Sequence, residues 1–207
     1  MNMLARVASV VLLLACSVQA RAQYPEPSPG ELCAAYAALT SLPDSVNQHR
    51  FFSAFPEQGE YFTLLYGDNP QLRGSGYDLH PVCFEHIRAF WNLPLVPDSV
   101  FMEKAVRITC GLKFGMGAAW YWQWYLRDAF RRAERARGIL DEVSRLRRGH
   151  QMEFWGFLWS AANADDRDLL YERNRECIRE HYPQTADISD RAFFLFHNGI
   201  RLMRMPR

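Results

Sequence analysis

Lysine is almost missing from this chain: Lys104 and Lys113 are the only two among 24 basic residues in a length of 207. Glycine and proline are sparse, at 12 and 11, which excludes a collagen-like repeat and a proline-glycine low-complexity chain. Beyond the first sixteen residues no apolar run approaches the roughly 20 residues that cross a bilayer, so a polytopic membrane protein is excluded. No G-x-S-x-G, H-E-x-x-H or glycine-rich phosphate loop occurs, and no two cysteines have C-x-x-C spacing. The usual signatures of hydrolases, zinc sites and nucleotide sites are therefore absent, and no cofactor or metal is expected. A net positive excess is also lacking. The formal charge is +1, which becomes −1 without Arg6 and Arg21, and an exported chain of this kind is a poor partner for nucleic acid.

Aromatic residues are present in quantity. The chain is 49% hydrophobic and 14% aromatic, with 14 Phe, 9 Tyr and 6 Trp, enough to bury a core without metal or oligomerisation. Charge is also unevenly spread. Residues 23–100 hold nine acids against Arg50, Arg73 and Arg88, a net of −6, while residues 101–207 hold 14 acids against 19 bases, a net of +5. An electrically polar protein of this kind is expected to dock a charged partner.

The N-terminus reads as a targeting segment. Arg6 supplies a positive region, Ala8 to Ala15 form a compact apolar run, and Ala20-Arg21-Ala22 is a small-x-small cleavage site. Residues 1–22 are thus expected to be a signal peptide and 23–207 a single exported domain, periplasmic or secreted. Leu13-Leu14-Ala15-Cys16 offers a second reading, a lipoprotein-type site with a lipid anchor at Cys16.

Almost every later segment has helical period. Ser28-Pro29-Gly30-Glu31 is a capping box with proline at the first helical position, and that helix stops before Pro43. A loop anchored by Phe51, Phe52 and Phe55 is expected next, then a helix from Pro56 to Gly67 and a loop over residues 68–76. Leu79, Val82, Cys83, His86, Ile87, Phe90 and Trp91 recur at three and four, marking an amphipathic helix. Asn92 to Pro97 turn the chain into a further helix ending at Gly111. A long helix over 118–137 should be separated by Gly138 from a short one over 139–148, with three more near 150–162, 166–181 and 188–204. Eight or nine helices with short turns and no alternating strand make an all-α protein. A compact bundle or a short solenoid of stacked αα-hairpins is expected.

Four cysteines, Cys33, Cys83, Cys110 and Cys177, remain after the leader, an even number in an oxidising compartment. Cys83 and Cys110 are equidistant from the Asn92–Pro97 turn, so in an antiparallel hairpin they would come level. That pairing leaves Cys33 for Cys177. The second bridge would close a loop of well over 100 residues, which the chain-entropy account values at about 4–5 kcal/mol.

The loudest local feature is Trp120-Tyr121-Trp122-Gln123-Trp124-Tyr125. On a helix, Trp120 and Trp124 share one face, Tyr121 and Tyr125 the next, and Trp122 points nearly opposite. The helix is either buried all round or binds something on one side, with Trp122 the expected stacking surface for a glycan, a peptidoglycan fragment or a protein. Downstream, eight arginines between Arg127 and Arg148 face four acids, and Arg131 and Arg135 are the candidate contacts for an acidic partner. His80 and His86 fall on different faces of their helix and make no metal pair. His150 and Glu153, three apart, could share a proton and are the candidate catalytic pair. Asn163, Asp165, Asp166 and Asp168 lack the glycine and the final glutamate of a calcium loop and read as helix caps.

Two segments, Phe62-Thr63-Leu64-Leu65-Tyr66-Gly67 and Glu153-Phe154-Trp155-Gly156-Phe157-Leu158-Trp159, together resemble a loose group of small exported all-α bacterial proteins of undetermined activity. The likeness would cover residues 50–180, and Tyr121 stands where an acidic residue is expected after the mid-chain Trp. It implies a place among toxin-neutralising immunity proteins and carries over no catalytic residue. Three functions are therefore weighed: an exported immunity-type inhibitor of a toxin or hydrolase, an envelope hydrolase using His150 and Glu153 in an aromatic cleft, and a structural envelope assembly factor.

Overall fold

A computed structural model of the protein describes residues 27–113, 115, 117–160 and 164–198. The expected signal peptide, Cys16 and Asn163 lie outside the described residues. Ten α-helices occur among those residues: α1 (Pro29–Ser41), α2 (Ser45–Ala54), α3 (Gly59–Tyr66), α4 (Cys83–Phe90), α5 (Asp98–Cys110), α6 (Ala118–Phe130), α7 (Ala133–Arg145), α8 (Arg148–Trp159), α9 (Ala164–His181) and α10 (Pro183–Asn198). A 3-10 turn (His80–Val82) leads into α4, and no strand is found among the described residues. None of the described helices is long and apolar enough to cross a membrane.

Local chemistry accounts for the helix ends. At α1 the capping box forms as expected, Glu31 N–H donating to Ser28 Oγ at 3.2 Å and Ser28 N–H donating to Glu31 Oε2 at 2.8 Å. The loop expected around Phe51, Phe52 and Phe55 is largely helix α2 instead. Asp44 caps it by accepting from Asn47 N–H at 2.8 Å, and burial of Phe51 and Phe52 outweighs the polar lead of Ser45 to Arg50. The break between the two central helices falls at Arg131–Arg132 rather than at Gly138. Gly138 lies inside α7 because a Cβ there would approach Met102 Cγ to 3.2 Å, so the glycine lets α7 lie against α5. A still closer approach joins α3 to α5. A Cβ on Gly59 would fall 2.2 Å from the carbonyl oxygen of Ile108, so only a bare backbone fits.

The buried apolar residues form one cluster from Leu32 to Ala192. Its N-terminal part is aromatic and centred on Trp122, whose ring lies 5.3 Å from Phe62, 5.3 Å from Phe90 and 5.2 Å from Trp91. The Trp122 indole N–H donates to Thr109 Oγ1 at 3.0 Å, which satisfies its one polar group inside the core. Toward the C-terminus, Phe130 touches Trp155, Trp155 stacks on Trp159 at 5.6 Å, and Tyr171 stacks on Phe193 at 3.8 Å. Helix α6 carries both Trp122 and Phe130 and so runs through both parts. The most deeply buried cation among the described residues is built into this frame. Lys104, 1% exposed, donates to the Phe52 carbonyl at 2.5 Å and to Glu57 at 2.7 Å.

The two expected disulfides are not formed: Cys33, Cys83, Cys110 and Cys177 are all free. The hairpin argument fails because α4 packs mainly on α6, whereas α5 packs on α7, α8 and α3. Cys110 instead lies beside α8, its Sγ 3.5 Å from the His150 carbonyl. Cys33 is on α1, which packs on α2, while Cys177 is on α9, which packs on α10.

Two outcomes follow. Burial raises the thiol pKa of Cys83 to about 11 and of Cys110 to about 12, so neither supplies thiolate near pH 8. Titration of the folded protein with a thiol reagent should label the exposed Cys33 first, and Cys83 and Cys110 only on unfolding; fast labelling of either would contradict the packing. Trp122→Ala should cost about 3–5 kcal/mol in urea unfolding, by the usual scale for deleting a buried large ring. A loss below about 1 kcal/mol would mean that Trp122 is not the centre of the core.

Candidate functional site

Burial of Trp122 turns the rest of the aromatic run outward. Ala118, Trp122, Leu126 and Ala129 form the core face of α6. The positions left on the other side are Trp120, Tyr121, Trp124, Tyr125 and Asp128, one continuous helical stripe. Trp120 and Trp124 are 45% and 48% exposed, which reverses the expectation that Trp122 would be the surface ring. Trp122 is a core residue.

The stripe is built of touching rings. Phe84 on α4 meets Tyr121 edge-on at 4.8 Å, Tyr121 lies parallel to Trp124 at 6.2 Å, and Tyr125 stands edge-on to both, at 5.2 and 4.8 Å. Tyr125 in turn lies parallel to Trp91, 5° between planes and 6.1 Å between centres. Burial first, and then a hydrogen bond with Tyr121, push the Tyr125 phenol up to about 12.

Tyr125 also forms one wall of a cleft of about 330 Å³, lined by Trp91, Asn92, Leu93, Pro94, Tyr125, Asp128, Arg132 and Arg135. The Asn92–Pro94 turn closes it on one side and the ends of α6 and α7 on the other. Arg132 Nη2 bonds Asp128 Oδ2 at 2.7 Å. Arg135 lies over the Phe101 ring at 5.9 Å. Trp91 is 3% exposed, yet its indole N–H has no partner among the described residues. Such an orphaned donor inside a protein is uncommon and costly. The expected contact Arg135 therefore belongs to this cleft.

Arg131 does not join it. Its guanidinium bonds Asp166 at 2.5 Å across the α6–α9 contact, and it lines a separate pocket of about 160 Å³ with Arg137 and Arg173. Arg127 is buried beside it. It pairs with Asp166 at 3.1 Å while its Nε and Nη2 find no partner among the described residues, and burial lowers its pKa. Half of the arginine-rich stretch, Arg127, Arg131, Arg132 and Arg145, is thus tied up in ion pairs, although all of its arginines but Arg127 and Arg135 are exposed.

His150 and Glu153 are both exposed on α8, no hydrogen bond between them is found among the described residues, and neither lines a described cleft. Asp165 and Asp166 sit in the first turn of α9, where carboxylates meet free N–H groups, as expected. No cluster of three or more His, Cys, Asp or Glu with metal-binding geometry occurs among the described residues. His80 stands in the 3-10 turn, and His86 is buried, its Nδ1 3.0 Å from the Tyr66 hydroxyl and its ring 4.4 Å from Tyr36.

Trp91, Asn92, Asp128 and Arg132 escaped the sequence reading because they come from two segments that meet only in the fold. A signal for the outward stripe lay in Leu126 and Ala129, which continue the face of Trp122 apolar beyond the aromatic run, but the aromatic spacing alone pointed Trp122 outward. The fold and surface define an all-α protein with an exposed aromatic stripe running into a cleft. Compared with known proteins, the chain matches no family model, no curated protein and no solved structure.

His86 supplies a pH test of this half of the molecule. Burial lowers its pKa from 6.5 to about 4, with Glu85 opposing weakly. The unfolded chain then binds the extra proton between those values, so stability is complete above pH 6.5 and falls as pH drops toward 4. The loss should reach about 3 kcal/mol. Unfolding free energies of wild type and His86→Gln, compared from pH 7 to pH 4, should show the flatter curve in the variant; parallel curves would contradict the burial.

Proposed function

We propose that the protein is an exported binding protein of the immunity type, which occupies a toxin or hydrolase through the α6 stripe and the cleft beside it. The observation that supports this is the exposure of Trp120, Trp124 and Phe84 on one side of the molecule, with the half-buried Tyr121 and Tyr125 beside them. A monomer that needed these rings only for stability would bury them, and contiguous exposed apolar surface on soluble proteins marks contact sites. Tryptophan, tyrosine and arginine are also the residue types that dominate binding energy at protein interfaces. A leader-directed route to the periplasm or outside, as read from residues 1–22, would bring that surface to envelope or secreted partners. The resemblance to small exported all-α proteins points the same way.

The test is a crosslinked pull-down from the envelope with mass spectrometry, run with wild type and with Trp120→Ser/Trp124→Ser. Wild type should enrich one protein whose activity it inhibits, and the double variant should lose it by about tenfold or more while its unfolding midpoint stays within about 2 °C. Association should also weaken with salt, since exposed charges are screened beyond about 10 Å at 0.1 M. Absence of any specific partner, or a partner held equally well by the double variant, would remove the proposal.

A further inference from the structure

The cleft walled by Trp91 and Tyr125 has more donors than acceptors. Asp128 is its one carboxylate, and Arg132 already holds it at 2.7 Å. Arg135 lines the same cleft and makes no ion pair among the described residues, its guanidinium resting over Phe101. Arg88, exposed on the adjoining α4, is close enough to act on the Tyr125 phenol. Among the described residues that line the cleft, two guanidiniums thus face one carboxylate. The Asn92 amide is spent on the Arg88 carbonyl at 2.7 Å, and the indole N–H of Trp91 is buried without a partner among the described residues. Arg135 also borders a second cleft with Asp98, Glu134, Asp141 and Glu142, yet it has no ion-paired carboxylate among the described residues, and an incoming carboxylate would supply two acceptor oxygens and a negative charge to it.

We infer that this cleft receives an aspartate or glutamate side chain of the partner protein, the residues flanking it lying against the aromatic stripe. The inference rests on the binding-protein reading above and names the chemistry of its partner: an acidic residue within an apolar segment. The cleft volume of about 330 Å³ is at the lower end for ligand sites and suits one side chain rather than a large ligand. The stripe favours protein over sugar. Tyr125 stands at 83° to both Tyr121 and Trp124, which makes a corrugated surface for side-chain knobs rather than a flat platform for a sugar ring. Arg135 over Phe101 and Trp91 against Tyr125 hold the donors in place before the partner arrives, so little ordering is lost on binding.

The experiment places photoreactive benzoylphenylalanine in the full-length chain in place of Asn92, at the cleft rim, and separately in place of Trp124, on the stripe. Each is crosslinked in intact envelopes and the joined peptides are sequenced. Both positions should capture the same protein, and the peptide joined at position 92 should carry Asp or Glu within about three residues of the crosslink, by the reach of the side chains. Replacing that acid with its amide should weaken association by about tenfold or more, and Arg135→Gln should do the same with a reduced salt dependence. Capture from position 124 alone, or a joined peptide without a carboxylate, would overturn the cleft inference and leave the binding reading standing. No capture from either position would remove the binding reading itself. Crosslinks to a second copy of this chain or to a carboxylated glycan would show that the occupant is not an acidic partner segment.

Discussion

Everything on the outward side of this protein depends on where Trp122 is buried. A helix with five aromatic residues in six consecutive positions could dock in several rotations, each hiding some rings. The indole of Trp122 is fully enclosed by Phe55, Phe62, Phe90 and Trp91 and donates to Thr109 Oγ1 at 3.0 Å. A hydrogen bond to a specific hydroxyl inside an apolar shell sets rotation as well as depth, because turning the helix would leave the N–H unpaired. With that rotation set, Trp120 and Trp124 point away from the core. Tyr125 falls at the border, half packed on Trp91 and half lining the cleft.

Cross-linking does not contribute to this frame. Its cysteines are free, so cohesion comes from close packing and from a few buried polar anchors. At the Gly59–Gly111 crossing, two backbones meet so closely that a methyl group on Gly59 would strike the Ile108 carbonyl. Lys104 is held by the Phe52 carbonyl and Glu57, and Gln123 donates to the Phe157 carbonyl, tying α6 to α8. Buried polar groups of this kind are costly when unmatched, so they select one packing over others. The same rule makes the unmatched ones informative: among the described residues these are the indoles of Trp91 and Trp155, two nitrogens of Arg127 and the Nε of Arg175.

Charge in the second half of the chain is organised by partnership more than by sign. Arg131 and Arg127 share Asp166, Arg132 takes Asp128, and Arg145 takes Glu142 at 2.5 Å. These pairs are mostly exposed, and each contributes little to stability. Their effect is to remove part of these arginines from contention as docking groups. Arg137, Arg147 and Arg148 stay exposed outside the aromatic cleft, while Arg135 lines it without an ion pair among the described residues, so the net charge of a segment is a poor guide to where its field is used.

The amino-acid sequence alone determined the helical class, the α1 capping box, the turn over Asn92–Pro97 and the ends of α5, because these depend on residues a few positions apart. It misplaced the central helix break and read α2 as a loop. Gly138 looks like a stop until Met102 is found against it, and Phe51 and Phe52 become helical because a distant core covers them. The disulfide pairing failed for the same reason: equal distance from a turn brings two cysteines level only if their helices pack on each other, and α4 prefers α6. Only the tertiary structure decided which ring of Trp120, Trp122 and Trp124 is core, and only it joined Trp91 and Asn92 to Arg132 and Arg135. Helical period places residues on faces. Which face meets the core is settled by burial against elements far away in the chain, which local spacing does not encode.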